Sequence, residues 1–203
     1  MIFLDSSSIL SKAIEDNHQL IPVINRFGIK LGLGDKSVLD ICLAANINTD
    51  FFLAILNTFL NEEYFPEKKL QHFDIELVIN YIRQTDTYLI HGQLHNLEKH
   101  LNAFISMSDP NNTQLKIIRR LFSEFKGELL SQIEHGMVQG DTPLTLLTDL
   151  KSIIIKHISG NFNENMCYAV IFTIDSFQKD LEKHNRIREK ILKPMIKEVS
   201  ETD

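Results

Sequence analysis

Features that would place this 203-residue chain in a membrane or outside the cell are missing from its sequence. No apolar run reaches the roughly 18 to 20 residues that a membrane-spanning helix needs. The first ten residues, MIFLDSSSIL, contain no basic leader and only a short apolar stretch, so they show no secretory signal. We therefore expect a cytoplasmic protein that does not associate with a membrane.

An excess of positive charge is missing as well. The chain has 21 Lys and Arg against 27 Asp and Glu, which gives a formal net charge of −6. Nucleic acid binding requires clustered Lys and Arg for phosphate contacts. The densest basic segment, KHNRIREKILK at 183–193, is adjoined or interrupted by Glu182 and Glu189 and is interpreted as a mixed-charge helix face. The sequence therefore predicts no nucleic acid partner.

Cysteine is scarce, and the familiar catalytic motifs are absent. Cys42 and Cys167 each lie inside an apolar helical run, which favours buried, unreactive thiols over a disulfide or a redox pair. Two separate cysteines cannot supply a Cys-based zinc or iron–sulfur site. Glycine-rich nucleotide loops, the serine hydrolase motif and the zinc protease motif are not found.

Strand-like alternation is also lacking, and apolar residues instead follow a helical period between Gly- and Pro-containing breaks, so the predicted fold is all-α. A linker at 64–74 precedes four longer helical stretches. These are stretch A (74–108), stretch B (after 113 to about 138), stretch C (143–158) and stretch D (164–199). Short connections predict an antiparallel four-helix bundle. We thus expect a small helical N-terminal domain at 1–65 and the bundle at 66–203.

The N-terminal domain carries signals for several short helices. The serines at 6–8, Ser37 and Thr49 each precede an apolar helical segment and are predicted N-caps. Pro22 predicts the start of another short helix. The segment FFLAILNTFL at 51–60 is apolar enough to join the two domains or to support a homodimer.

Three of the four stretches carry polar residues on the face that the helical period predicts to be buried. The predicted inward faces are Ile75, Ile79, Ile82, Asp86 and Leu89 on A; Ile118, Phe122, Phe125, Leu129, Gln132 and Gly136 on B; and Ile174, Phe177, Leu181, His184, Arg188 and Ile191 on D. Burying a polar group without a partner costs roughly 1 to 3 kcal/mol. We therefore expect these polar side chains to meet one another, water or a ligand, unless they lie at the open end of the bundle.

Several segments resemble a known family. INRFGIKLGLGDKSVLDICLAANINTDFFLAILN resembles the small helical domain that precedes hemerythrin-like domains in iron–sulfur cluster repair proteins. VINYIRQTDTYL, LFSEFKGELLSQIEHGM and DLEKHNRIREKILKPMI resemble three ligand-bearing helices of the hemerythrin-like bundle. The resemblance implies a non-haem di-iron centre, with a histidine from each helix and bridging carboxylates from His-x-x-x-Glu pairs. Such centres handle O2, nitric oxide or peroxide, or support repair of damaged clusters.

Most ligand positions implied by the resemblance hold other residues in this chain. The family's histidine on stretch A falls on Asp86, and the His-x-x-x-Glu pair of stretch B falls on Gln132 and Gly136. On stretch D the histidine is kept as His184, but its Glu partner falls on Arg188. One histidine and one substitute carboxylate cannot hold two irons, and an Arg nearby repels a metal cation. We expect no cofactor, with non-haem iron at Asp86 and His184 as the alternative.

These replacements predict a hemerythrin-like protein that has lost its metal. Asp86, Gln132, His184 and Arg188 would fill the vacated site as a polar cluster, with Asp86 and Arg188 as an ion pair. The predicted function is a non-catalytic interaction or regulatory module, linked through its family to oxidative or nitrosative stress. It would bind a protein partner, or a second copy of itself, through the N-terminal domain. The alternatives are an O2- or NO-responsive di-iron or cluster-repair protein with an unusual ligand set, and a bundle that binds a small anion.

Other candidate sites are weaker. His91 and His95 have the i, i+4 spacing that chelates zinc or nickel, but they flank the inward face and are predicted to be solvated histidines with at most adventitious metal. Asp86 and His184 could form an acid–base pair. Because no nucleophile accompanies them at a recognisable spacing, we do not expect an enzyme.

Overall fold

The computed structural model describes residues 3–70, 72–109, 111–135 and 142–195. Within these ranges all regular structure is helical apart from one isolated bridge between Ile9 and Ser37. This confirms the prediction of an all-α fold. None of the helices described is long and apolar enough to cross a membrane.

Ten α-helices and two π-helical segments make up the described structure. They are α1 Leu10–Asp16, α2 Leu20–Arg26, α3 Val38–Ala45, α4 Thr49–Leu60, α5 Glu67–Leu70, α6 Ile75–Tyr88, a π-helical segment Leu89–Leu94, α7 His95–Ser106, α8 Thr113–Glu134, α9 Thr142–His157, α10 Glu164–Ile187 and a second π-helical segment Arg188–Leu192. Stretch A thus corresponds to α6 and α7, and stretches B, C and D to α8, α9 and α10. The predicted ends of B near 138 and of D at 196–199 lie outside the described residues.

The helix starts agree with the predicted caps only in part. Ser37 caps α3 as predicted: its hydroxyl accepts a hydrogen bond from the Asp40 backbone N–H at 3.1 Å in a reciprocal capping box. The prediction for Thr49 is wrong, because the side chain of Asn48 accepts from the Phe51 N–H at 2.9 Å and Thr49 is the first helical residue. The serines at 6–8 do not cap α1, whose N-cap is Ile9, and instead form a turn around the carboxylate of Asp5.

The chain forms two compact units. The first comprises residues up to Thr85 together with those from Lys183 onward, and the second comprises Asp86–Glu182. The division into domains after residue 65 stays a prediction.

The core of the first unit is built largely on α4, which is buried from Phe51 to Phe59. Phe27 packs edge-on against Phe52 with 4.8 Å between the ring centroids. The C-terminal residues belong to the same core, because Ile187 and Ile191 are buried within it. Burial of these apolar side chains drives this association at roughly 1.5 to 3 kcal/mol each.

The polar side chains of the C-terminal residues fix this arrangement in the first unit. Lys183 donates a hydrogen bond to the side chain of Gln19. Arg186 forms an ion pair with Glu62 at 2.7 Å, and Lys190 donates to the backbone carbonyls of Glu62 and, at 3.2 Å, Tyr64, both after the end of α4. The segment that carries the predicted site residues His184 and Arg188 is therefore held in place by polar contacts of residues before, between and after them.

The core of the second unit receives buried residues from α7, α8, α9 and the part of α10 before Lys183. Phe125 of α8 packs edge-on against Phe177 of α10 at 5.4 Å between ring centroids. A salt bridge links α8 to α7, with Nζ of Lys126 at 2.8 Å from Oε1 of Glu98.

The inward faces predicted for stretches B and D are confirmed at their apolar positions. The face predicted for A is confirmed at Leu89 and is wrong on α6, where the buried residues lie one position before the predicted ones. On α6 and the segment after it the buried residues are Val78, Tyr81, Thr85 and Leu89, whereas Ile75, Ile79, Ile82 and Asp86 are half-buried.

Candidate functional site

His184 and Arg188 form a buried, hydrogen-bonded pair in the first unit. They lie one helical turn apart, His184 near the end of α10 and Arg188 at the start of the π-helical segment that follows. His184 is fully buried, and Arg188 is 6% exposed. The Nε–H of Arg188 donates to Nε2 of His184 at 2.9 Å. The sequence predicted a polar cluster of four residues, and the structure shows a hydrogen bond between two of them, His184 and Arg188.

The hydrogen bond and the surroundings fix the protonation state of His184. Since Nε2 accepts from Arg188, the imidazole is neutral and carries its proton on Nδ1. Burial lowers the pKa of His184 well below its usual range, and the cations of Arg188 and Arg26 lower it further. The imidazole of His184 is therefore neutral, and the lone pair of its Nε2 atom accepts the hydrogen bond from Arg188.

Arg26 and Tyr81 complete the surroundings of this pair within the first unit. Arg26, the last residue of α2, is 4% exposed. Tyr81 of α6 is 3% exposed, and its ring centroid lies 6.4 Å from that of His184. Sequence reasoning missed both residues. Arg26 is preceded by an ordinary short helix, and Tyr81 lies one position away from the face predicted to be buried.

The Nδ1 atom of His184 has no hydrogen-bond acceptor among the described residues. A buried N–H without an acceptor costs about 1 to 3 kcal/mol. Nδ1 of His184 is thus a buried donor that no described side chain accepts from.

A π-helical segment follows two of the three helices on which polar site residues were predicted. Leu89–Leu94 begins three residues after Asp86, and Arg188–Leu192 begins at Arg188 itself. Such segments insert an extra residue into a helix and occur frequently at functional sites. The helical period of the sequence does not reveal them.

Asp86 and Gln132, the other members of the predicted cluster, belong to the second unit. Asp86 is half-buried on α6. Gln132 is half-buried on α8 and donates from Nε2 to Oε1 of Glu128 at 2.7 Å. The four-residue cluster as a whole stays a prediction. Gly136, the other residue at a family ligand position on stretch B, lies outside the described residues.

The other histidines named in the sequence analysis, His91 and His95, lie on the surface of the second unit. His91 and His95 are exposed, as predicted. Across the described ranges, no group of three or more His, Cys, Asp or Glu side chains is arranged to hold a metal ion. Cys42 and Cys167 are free and buried, in agreement with the sequence. Burial raises the pKa of both thiols.

Two cavities are candidates for ligand binding. One, of about 150 Å³, lies in the first unit between Arg26, Phe27, Phe51 and Tyr81 and is rimmed by side-chain amides. The other, a groove of about 660 Å³, lies in the second unit between the end of α7 and the first half of α8. Neither is lined by any residue of the predicted cluster.

The donor set around His184 does not fit the di-iron centre that the family resemblance implies. A metal bound at Nε2 of His184 would have to replace the N–H of Arg188 and stay beside its guanidinium cation. Two positive charges at such short range repel strongly in a buried site. Iron in such centres takes imidazole and carboxylate ligands, whereas the side chain bonded to His184 is a cation.

Comparison of the chain with protein-family models, with curated proteins and with solved structures finds no match.

Proposed function

We propose that this protein is a non-catalytic, metal-free interaction or regulatory module, related to the hemerythrin-like proteins by descent of its four-helix bundle. The observation that carries the proposal is the hydrogen bond from Arg188 to Nε2 of His184. In this arrangement the histidine retained at a family ligand position binds a side chain instead of a metal.

The buried charges support this proposal. A guanidinium cation is permanently charged, so Arg188 excludes a second cation over the whole physiological pH range. It also lowers the pKa of His184, which stabilises the neutral ring that accepts its N–H. The hydrogen bond between the two side chains is thus stabilised without an inorganic ion.

A role in binding a partner is supported by apolar side chains that the N-terminal domain leaves exposed. Leu39 and Leu43 lie one turn apart on α3 and are 41% and 70% exposed. Leu31, in the turn before α3, is 60% exposed. Exposed apolar side chains on one helix face are typical of protein interaction sites when they are contiguous. The partner would be another protein or a second copy of this chain.

Anaerobic titration with Fe²⁺ tests the metal-free part of the proposal. Bound iron would raise the midpoint of thermal unfolding, because a ligand present at 100 times its Kd stabilises a protein by about 2.7 kcal/mol. We expect no such shift, and no oxo-to-iron absorption after air is admitted. A saturable shift with an absorption band would contradict the proposal and favour the di-iron alternative.

The variant Arg188→Glu provides the matched comparison for this titration. It places a carboxylate one helical turn from His184, as in the family's His-x-x-x-Glu pair. We expect it to bind Fe²⁺ more tightly than the native chain. Equal behaviour of the two proteins would show that Arg188 is not what excludes the metal.

Binding of a small anion is a second candidate function, favoured by the cavity of about 150 Å³ in the first unit. Arg26 offers a planar cation there, and Phe27 and Tyr81 offer aromatic walls, which suits a flat carboxylate. Benzoate is a suitable probe, with neutral benzamide as its control. Chemical-shift changes at Arg26 and Tyr81 with benzoate alone would support this function, and equal or absent changes would exclude it.

A further inference from the structure

The groove in the second unit combines an apolar floor with a row of cations. It has a volume of about 660 Å³ and runs between the C-terminal end of α7 and the first half of α8. Leu115, 5% exposed, and the half-buried Ile105 form its apolar part. Lys116, Arg119 and Arg120 line it from α8 and are exposed to solvent.

The floor of the groove is held in place by hydrogen bonds. The hydroxyl of buried Ser108 donates to the carbonyl of Phe104 at 2.7 Å. The side chain of Asn112 accepts from the N–H of Gln114 at 3.0 Å and donates to the carbonyl of Ser159. Because these polar groups are hydrogen-bonded within the protein, the groove is formed without a ligand. The side chains left to bind a charged ligand are the cations.

Two of the three cations are available to a ligand. Arg120 pairs with Glu124 at 3.2 Å, but both side chains are largely exposed and such a pair contributes little. Within the described residues, Lys116 and Arg119 make no ion pair or hydrogen bond through their side chains.

The two unpaired cations can reach alternate residues of an extended peptide. Lys116 and Arg119 are three residues apart on α8, which places their backbones about 4.5 Å apart along the helix axis, and their long side chains can spread further. In an extended chain, side chains two residues apart point to the same side and are separated by about 7 Å. Two carboxylates at alternate positions can therefore reach this row, and the residue between them points to the opposite wall, where Ile105 lies.

We propose that this groove binds an acidic segment of a partner protein in an extended conformation, with Asp or Glu at alternate positions and an apolar residue between them. The carboxylates would pair with Lys116 and Arg119, and the apolar side chain would pack against Ile105 and Leu115. None of the residues that line the groove is aromatic, whereas proteins that bind single-stranded nucleic acid stack its bases on aromatic side chains. The inference rests on the proposed function in that it identifies one binding surface of the module.

A short labelled peptide tests this proposal on the full chain. The probe is fluorescein-Gly-Gly-Asp-Leu-Glu-Gly-Gly, and its neutral control replaces Asp and Glu by Asn and Gln. We expect the acidic peptide alone to raise fluorescence anisotropy, with binding that weakens between about 50 and 200 mM salt. An oligothymidylate of about ten nucleotides serves as the nucleic acid probe.

Charge-reversal variants locate the binding site. Lys116→Glu with Arg119→Glu should weaken peptide binding about ten-fold or more, which corresponds to about 1.4 kcal/mol. The matched control is Lys99→Glu with Lys156→Glu, which makes the same change of net charge at exposed lysines of α7 and α9 outside the groove. Circular dichroism checks that both double variants keep their helical content.

Every result of these binding measurements either supports or contradicts the proposed peptide site. Loss of binding in the groove variant together with retention in the control supports the proposal. Absence of binding, equal loss in both variants, or tighter binding of the oligothymidylate than of the peptide overturns it. Iron content is measured separately, so peptide binding by a protein that carries iron would contradict the proposed function and leave the groove assignment intact.

Discussion

Arg188 donates its Nε–H to Nε2 of His184 across a single helical turn, and both side chains are buried. The contact satisfies the acceptor nitrogen of the imidazole, places the ring proton on Nδ1 and sets a permanent positive charge beside the ring. A histidine in these surroundings is a structural acceptor and a poor metal ligand.

Removing the charge of Arg188 should raise the pKa of His184. The variant Arg188→Gln keeps an N–H donor but loses the cation, whose repulsion is one of the causes of the lowered pKa. The pKa should stay below its usual value because burial and Arg26 still act. An NMR titration of the His184 ring measures the change, with Arg186→Gln as a control that removes the same charge two residues earlier. An unchanged pKa in Arg188→Gln would contradict the assignment.

The stability of the protein should fall in mild acid because of His184. The pKa of His184 is lower in the folded than in the unfolded chain, so the unfolded chain binds more protons between the two values. The stabilisation is complete above the unfolded pKa near 6.5 and is lost as the pH falls below it, by at most about 1.4 kcal/mol per pH unit. Urea unfolding of the native chain and of His184→Gln between about pH 7 and 5 measures the difference. Parallel pH profiles would refute this prediction.

The two adjacent polar residues at the start of α4, Asn48 and Thr49, should differ in their effect on stability. Asn48→Ala removes the side chain that caps the helix and should cost about 1 kcal/mol of unfolding free energy. Thr49→Ala changes the first helical residue and should cost clearly less, since Ala is a better helix former. Urea unfolding of the two variants checks the order. A larger loss for Thr49→Ala would show that the cap has been assigned to the wrong residue.

Both thiols should react slowly in the folded protein. Cys42 and Cys167 are buried, and burial raises their pKa, so little thiolate forms and access is poor. Ellman's reagent should modify them over a much longer time in buffer than in guanidinium chloride, where both react at once. Rapid modification of either thiol in the native protein would show that its local structure opens readily.

The part of the structure that depends on helical periodicity could be predicted from the sequence. The inward face of α10 follows from apolar residues three and four positions apart, and the same spacing places His184 next to Arg188. The face of α6 was misplaced because Ile75, Ile79 and Ile82 compete with the buried Val78 and Tyr81 for the core. Apolar residues on two adjacent faces make the period ambiguous.

The surroundings of the pair could not be predicted, because they depend on contacts between distant segments. Arg26 reaches the site from α2, and no local pattern distinguishes it from a solvated helix-terminal arginine. The cap of α4 was assigned to Thr49 although Asn48 stands beside it, and asparagine is the stronger N-cap. The sequence alone does not distinguish Lys116, Arg119 and Arg120 from other exposed cations, because their proposed role depends on the groove that they line.

Metal analysis of protein from iron-supplemented cells, purified without any chelator, tests the central claim most directly. Because Arg188 occupies the acceptor nitrogen of His184 and repels cations, we predict far less than one iron atom per chain. Iron at two atoms per chain, retained through purification, would contradict the account.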